Sequence, residues 1–193
     1  MARKRHQQSV EQVRERILRE VISLISKHGA DRVTHRLLAK SLSLSPGTLT
    51  YHFKRREDLI HGAFDLYMAD YSAGLTAALA SRPLTSFDDI ARFLATLTSL
   101  DPAHADLATF EYEMISNAQR DPALKSAVTA WSGQLPKAIA SALEALGQPD
   151  ASRTANLLTA ICRGAEVDVL TRSLRIDETA FRERLLSVLR AGL

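Results

Sequence analysis

Residues 34–59 read Thr34-His35-Arg36-Leu37-Leu38-Ala39-Lys40-Ser41-Leu42-Ser43-Leu44-Ser45-Pro46-Gly47-Thr48-Leu49-Thr50-Tyr51-His52-Phe53-Lys54-Arg55-Arg56-Glu57-Asp58-Leu59. Two short helices are legible in this stretch. Thr34 suits an N-cap, where a side-chain oxygen accepts from a backbone N–H of the first turn, and Leu37, Leu38 and Ala39 follow as apolar residues. Ser45-Pro46-Gly47 opens the second helix, with Ser45 as cap and Pro46 at the first helical position, where a missing N–H costs nothing. Leu49 and Phe53 are four apart, share a face and are expected to turn inward. The three or four residues between the helices match the turn of a helix-turn-helix.

The flanking segments continue in helical period. Upstream, Val10, Val13, Ile17, Val21 and Leu24 recur every three or four residues. Ser9 with Gln12 suits a capping box at that helix's start, and Gly29 suits its end. Downstream, residues 56–81 predict a helix about 39 Å long, acidic at Glu57 and Asp58 where the helix dipole is positive. Arg82-Pro83 ends it. Ser86, Asp101, Asp121, Asp150 or Ser152, and Asp177 are expected caps, with Pro102 and Pro122 just inside two of the starts. A helix from 122 should run to Gly147-Gln148-Pro149, kinked or broken at Pro136. The fold class is therefore all-α, with about nine helices, and the boundary between head and body falls near residues 54–56.

Charge separates the same two parts. Residues 1–60 hold 13 Lys and Arg against 6 Asp and Glu, while the remainder holds 12 against 16. A basic head on an acidic body points to a polyanionic partner at one end. The single cysteine, Cys162, excludes an intrachain disulfide and a thiolate metal cluster and favours a reducing cytoplasm. No apolar run approaches the ~20 residues of a membrane span, and no apolar stretch follows the basic start as in a signal peptide. There is no G-x-S-x-G, Walker-type loop, H-E-x-x-H or Rossmann glycine run. An enzyme is not expected, and no cofactor or metal is implied.

The stretch resembles the DNA-binding domain of the TetR (tetracycline-repressor) family. The resemblance is carried by Thr34, by Leu38-Ala39, by Ser45-x-Gly47-Thr48-Leu49 and by Tyr51-His52-Phe53-Lys54, with Glu57-Asp58-Leu59 entering the next helix. It implies a three-helix helix-turn-helix DNA-binding domain over residues 1–55, joined by the fourth helix to a helical ligand-binding and dimerisation domain over 56–193. The implied activity is sequence-specific regulation of transcription in a bacterium. A homodimer would repress from a palindromic operator in double-stranded DNA and release it when a small-molecule effector binds. The DNA-binding residues expected are Thr34, His35, Arg36, Ser45, Pro46, Gly47, Thr48, Thr50, Tyr51, His52 and Lys54. Small and polar side chains suit a helix entering a major groove ~12 Å wide. Arg3, Lys4 and Arg5 form either an arm that reaches the minor groove or a free tail. Two positions depart from the family pattern. Ser43 stands where the turn usually carries glycine, so it must accept a costlier backbone angle or the turn must differ. Thr50 replaces a common aromatic residue, at the cost of one phosphate contact.

In the body, a helix around 152–174 is apolar on two sides, which places it either mid-core or between its own domain and a partner. The resemblance implies that the last two long helices pair with their twofold mates. The dimer residues expected are Leu157, Ala160, Gly164, Val167, Phe181, Leu185, Val188 and Leu189. The side chains expected to line a ligand pocket are Tyr67, Tyr71, Phe93, Leu97, Phe110, Met114, Trp131, Cys162 and Glu166. Glu111 and Glu113 are further acidic groups on helices of mixed character. A mostly apolar effector is the default for such a pocket. A DNA-binding architectural protein without effector, and a helical enzyme or small-molecule carrier, are the alternatives.

Overall fold

The computed structural model describes residues 2–99, 102–172 and 174–191, with the side chains of all but 2–9 and 102–105. The described residues contain ten α-helices and no strand: α1 (Ala2–His28), α2 (His35–Leu42), α3 (Pro46–His52), α4 (Arg56–Ser81), α5 (Phe87–Thr98), α6 (Pro102–Ala118), α7 (Pro122–Ser132), α8 (Gln134–Ala145), α9 (Ala151–Arg172) and α10 (Glu178–Ala191). A short 3-10 turn, Ala30–Arg32, lies between α1 and α2.

Most helix starts follow the capping chemistry expected. Thr34 Oγ1 accepts from Leu37 N at 3.2 Å, Ser45 Oγ from Thr48 N at 3.0 Å and Ser86 Oγ from Asp89 N at 3.1 Å. Asp121 Oδ1 accepts from Ala123 N and Leu124 N, and Asp177 Oδ1 from Ala180 N at 3.0 Å. Asp101 lies outside the described residues. One expectation needs correction, and one is met with its position shifted. Helix α1 begins at Ala2, so Ser9 sits within it and not at its cap. The helix from residue 122 is two helices, α7 and α8, and they part at Gly133, three residues before Pro136. Pro136 has no N–H to offer the carbonyl four residues back, that of Ser132. Arg163 Nη2 on α9 takes that carbonyl instead, at 3.1 Å.

Contacts divide the chain into two compact units. The first comprises Met1–Tyr71 and Asp106–Val128, the second Ser72–Ala105 and Thr129–Leu193. The unit that holds residues 1–55 is thus larger than that segment. It takes in the first half of α4 and most of α6, whose Phe64, Phe110 and Met114 are fully buried. Helices α1 and α4 approach closely at Gly62, where a Cβ would lie 3.0 Å from Leu18 Cδ2 and 3.4 Å from Phe53 Cε1. The second unit has its own core from α5, α8, α9 and α10, including Ile90, Leu94, Ile139, Leu143, Leu158, Cys162, Phe181, Leu185 and Leu189.

Candidate nucleic-acid interface

Helix α3 has one buried side and one open side. Leu49 and Phe53 are buried, as their spacing requires, while Pro46, Gly47, Thr50 and Lys54 are exposed. Tyr51 is 73% exposed, an unusual degree for so large an apolar ring. His52 is half-buried and meets the Tyr51 ring edge-on, with centroids 5.2 Å apart. Burial first, and then the positive charge of Arg14, hold the His52 pKa below its ordinary value. The imidazole is therefore neutral near pH 7.

The hydroxyls on this helix are partly committed. Ser45 Oγ and Thr48 Oγ1 lie 2.9 Å apart, and Thr50 Oγ1 donates to Pro46 O at 3.0 Å. Thr50 thus keeps acceptor capacity on the open face but spends its proton inside the helix. Thr34 and Arg36 are exposed at the start of α2. His35 is not turned outward in the same way: its Nε2 lies 2.9 Å from Phe53 O. The turn between α2 and α3 places Ser43 at φ 54, ψ 39, in the left-handed region. Of the two outcomes open for Ser43, the costlier backbone angle is the one realised.

Three neighbouring features hold these helices and were not read from the sequence. Arg16 Nη2 donates to Leu42 O at the end of α2, at 2.7 Å. Arg14 Nη1 donates to His52 O at the end of α3, at 3.3 Å, and its guanidinium lies 4.4 Å from the Phe53 ring centroid. The 3-10 turn is gripped from two helices. Arg56 on α4 donates to Ala30 O at 2.5 Å and to Val33 O at 3.1 Å, and Glu113 Oε2 on α6 accepts from Ala30 N at 3.1 Å. Gly29, at φ +80, turns the chain into this grip. Arginines read as part of a basic surface are, in these places, partners for helix-end carbonyls, which carry no side-chain signature of their own.

The residues expected to line a ligand pocket fall in both units. In the first, Tyr67, Phe110 and Met114 are buried and Tyr71 is half-buried. The Tyr67 ring lies 5.3 Å from Phe110 and 6.2 Å from Tyr71, and its hydroxyl donates to Glu111. In the second, Trp131 and Cys162 are buried, Phe93 and Glu166 half-buried. Leu97 is 42% exposed, so it lies at the surface of its own unit and not in its core. Burial pushes the Cys162 thiol up to about 11, and the Glu166 carboxylate adds to the rise.

The residues expected at a dimer interface also divide. Leu157, Ala160, Gly164 and Val167 form an exposed row on α9. A Cβ at Gly164 would meet nothing within 4 Å. On α10, Phe181, Leu185 and Leu189 are buried in the core of their own unit, and Val188 is half-buried. A helix with one apolar stripe can give it to its own core or to a partner, and within the single chain these three face the core of their own unit.

Comparison with known proteins agrees with this geometry. Residues 17–63 match the family model described as bacterial regulatory proteins, tetR family, and residues 68–191 match that of the tetracyclin repressor-like C-terminal domain. No curated protein matches the chain. Among solved structures, a transcriptional regulator from Saccharomonospora viridis in complex with choline superposes with a TM-score of 0.79 at 20% identity, over 93% of this chain and 96% of that one. A TetR-family member from Streptomyces coelicolor gives 0.72 at 25% identity, over 91% and 96%. The multidrug binding protein EbrR complexed with proflavin gives 0.65 at 25% identity, over 91% and 98%. The two family models span α3 and almost all of the remaining helices described above, and the chain belongs to the TetR family of bacterial transcriptional regulators.

Proposed function

We propose that this regulator is a homodimeric repressor, which binds a palindromic operator through α3 and leaves it when a small-molecule effector binds. The observation that carries the reading is the two-sidedness of α3. Its apolar pair is buried, and Gly47, Thr50 and the Tyr51 ring stand in the open next to Lys54. Thr34, Arg36, Ser45, Pro46, Thr48 and His52 are the further residues proposed to touch DNA, most of them through phosphate. Two heads must reach successive major grooves ~34 Å apart, which is the reason for a dimer. We assign the dimer contact to the exposed row Leu157, Ala160, Gly164 and Val167 on α9, with the half-buried Val188 on α10 as a further candidate.

The effector reading rests on the aromatic cluster of the first unit. Tyr67 and Phe110 are buried with their rings 5.3 Å apart, Tyr71 is half-buried beside Tyr67, and Glu111 supplies a carboxylate already in contact with the Tyr67 hydroxyl. EbrR, at 25% identity, was solved with proflavin, which supports a small-molecule effector for this chain. Release then follows from differential affinity: an effector that favours the conformation with poorly spaced heads weakens DNA binding by a coupling of ~1–3 kcal/mol.

A map of the sites occupied in the cell, with and without Tyr51→Ala, tests the reading. The expected result is a small set of sites sharing one palindrome, lost in the variant, with the adjoining genes expressed more strongly when the regulator is deleted. Sites without a common sequence would leave only an architectural binder.

A further inference from the structure

Helix α3 is only seven residues long. Its final carbonyls are the negative end of the helix and have no partners within it. Two of them are nevertheless held, and each by a different helix. Arg14 from α1 donates to His52 O and lays its guanidinium over the Phe53 ring. His35, the first residue of α2, brings Nε2 to 2.9 Å from Phe53 O. A carbonyl only accepts, so His35 donates from Nε2 in this contact. Arg16 does the same service for α2, at Leu42 O. Both helices of the motif thus have their C-terminal ends fastened from outside, and the recognition helix is fastened twice.

We propose that Arg14 and His35 are positioning residues for DNA recognition: by holding the last carbonyls of α3 they fix the angle at which Thr50 and Tyr51 meet the duplex, without touching it themselves. The inference rests on the regulatory reading above and deepens it. It moves His35 from the set of DNA contacts to the set that orients them, and it adds Arg14, which the sequence pattern did not single out. A seven-residue helix held only by Leu49 and Phe53 could still tilt about its buried edge. The two clamps act at the end next to Tyr51, where a tilt would displace the exposed ring most.

The test uses the full-length dimer and a duplex that the wild-type protein selects from a random pool. Kd is measured for wild type, Arg14→Ala, His35→Ala and His35→Gln across a range of salt, with circular dichroism confirming that each variant is folded. A Gln side chain returns an N–H donor near the position of Nε2. Positioning predicts Kd weaker by on the order of three- to ten-fold for each Ala variant, the usual effect of one lost hydrogen bond. It also predicts an unchanged salt slope and recovery of most of the affinity in His35→Gln. Direct phosphate contact predicts instead a salt slope smaller by about 0.9 for each group removed, and that result overturns the proposal. Wild-type affinity in both Ala variants overturns it as well. Should Arg14→Ala fail to fold, the His35 pair decides alone. Failure of the wild-type protein to select any duplex would count against the regulatory reading itself, whereas selection with unaffected variants counts only against the clamp.

Discussion

Single residues show where the physical constraints of this head are tightest. Ser43 sits at φ 54, in the left-handed region that glycine adopts freely. Ser43→Gly is expected to raise stability by up to about 1 kcal/mol, read as a higher urea midpoint, since it relieves the strain of an L side chain there. His52 gives a pH prediction with a definite sign. Its folded pKa is depressed by burial and by Arg14, so the unfolded chain binds a proton first as pH falls. Stability should decline as pH drops through about 6.5, the unfolded value. A His52→Gln variant should show a shallower decline in urea titrations between pH 7.5 and 5.5. Cys162 is buried, and its thiol is pushed up to about 11. Alkylation by iodoacetamide at pH 8 should be slow in the native protein and rapid in denaturant, because the thiolate is the nucleophile. Modification at equal rates would mean that the thiol is open to solvent.

Helical elements were legible wherever a local side chain decides the matter. The caps at Thr34, Ser45, Ser86, Asp121 and Asp177 act within three residues of sequence, and each was readable from its position. The start of α1 at Ala2 and the placing of the expected break at Gly133, ahead of Pro136, were not. The latter depends on Pro136 freeing the Ser132 carbonyl, which then accepts from Arg163, far along the chain. The grip on the turn after α1 is non-local in the same way. Ala30, buried with 1% exposure, has its N–H held by Glu113 and its carbonyl by Arg56. Glu113→Ala leaves that N–H without its acceptor and should cost about 1–3 kcal/mol. Glu113→Gln, which keeps an accepting oxygen, should recover most of the loss. Equal urea midpoints for all three proteins would show that the contact carries no weight.

On the scale of the whole molecule, the helix pattern of the head was readable because its caps and its buried apolar pair lie within some twenty positions. Which apolar stripe goes to the core and which stays exposed was readable only in part. Periodicity marks a helix as apolar on a given stripe but does not say which neighbour receives it. In α10 the stripe of Phe181, Leu185 and Leu189 goes to its own core, and the exposed row on α9 is what remains for a partner. Ala160→Glu on that row is expected to convert the dimer to a monomer in light scattering and to abolish binding to a palindrome while leaving helix content intact. A variant that stays dimeric would place the contact elsewhere. Base-sequence reading by α3 is measured by equilibrium titration at about 0.15 M salt of a duplex from the protein's own upstream region against a scrambled duplex of equal composition. The account predicts a preference of at least about a thousand-fold, the lower end for specific DNA binders, falling toward unity in Tyr51→Ala. Equal affinity for the two duplexes, in a protein verified as folded and dimeric, would contradict it.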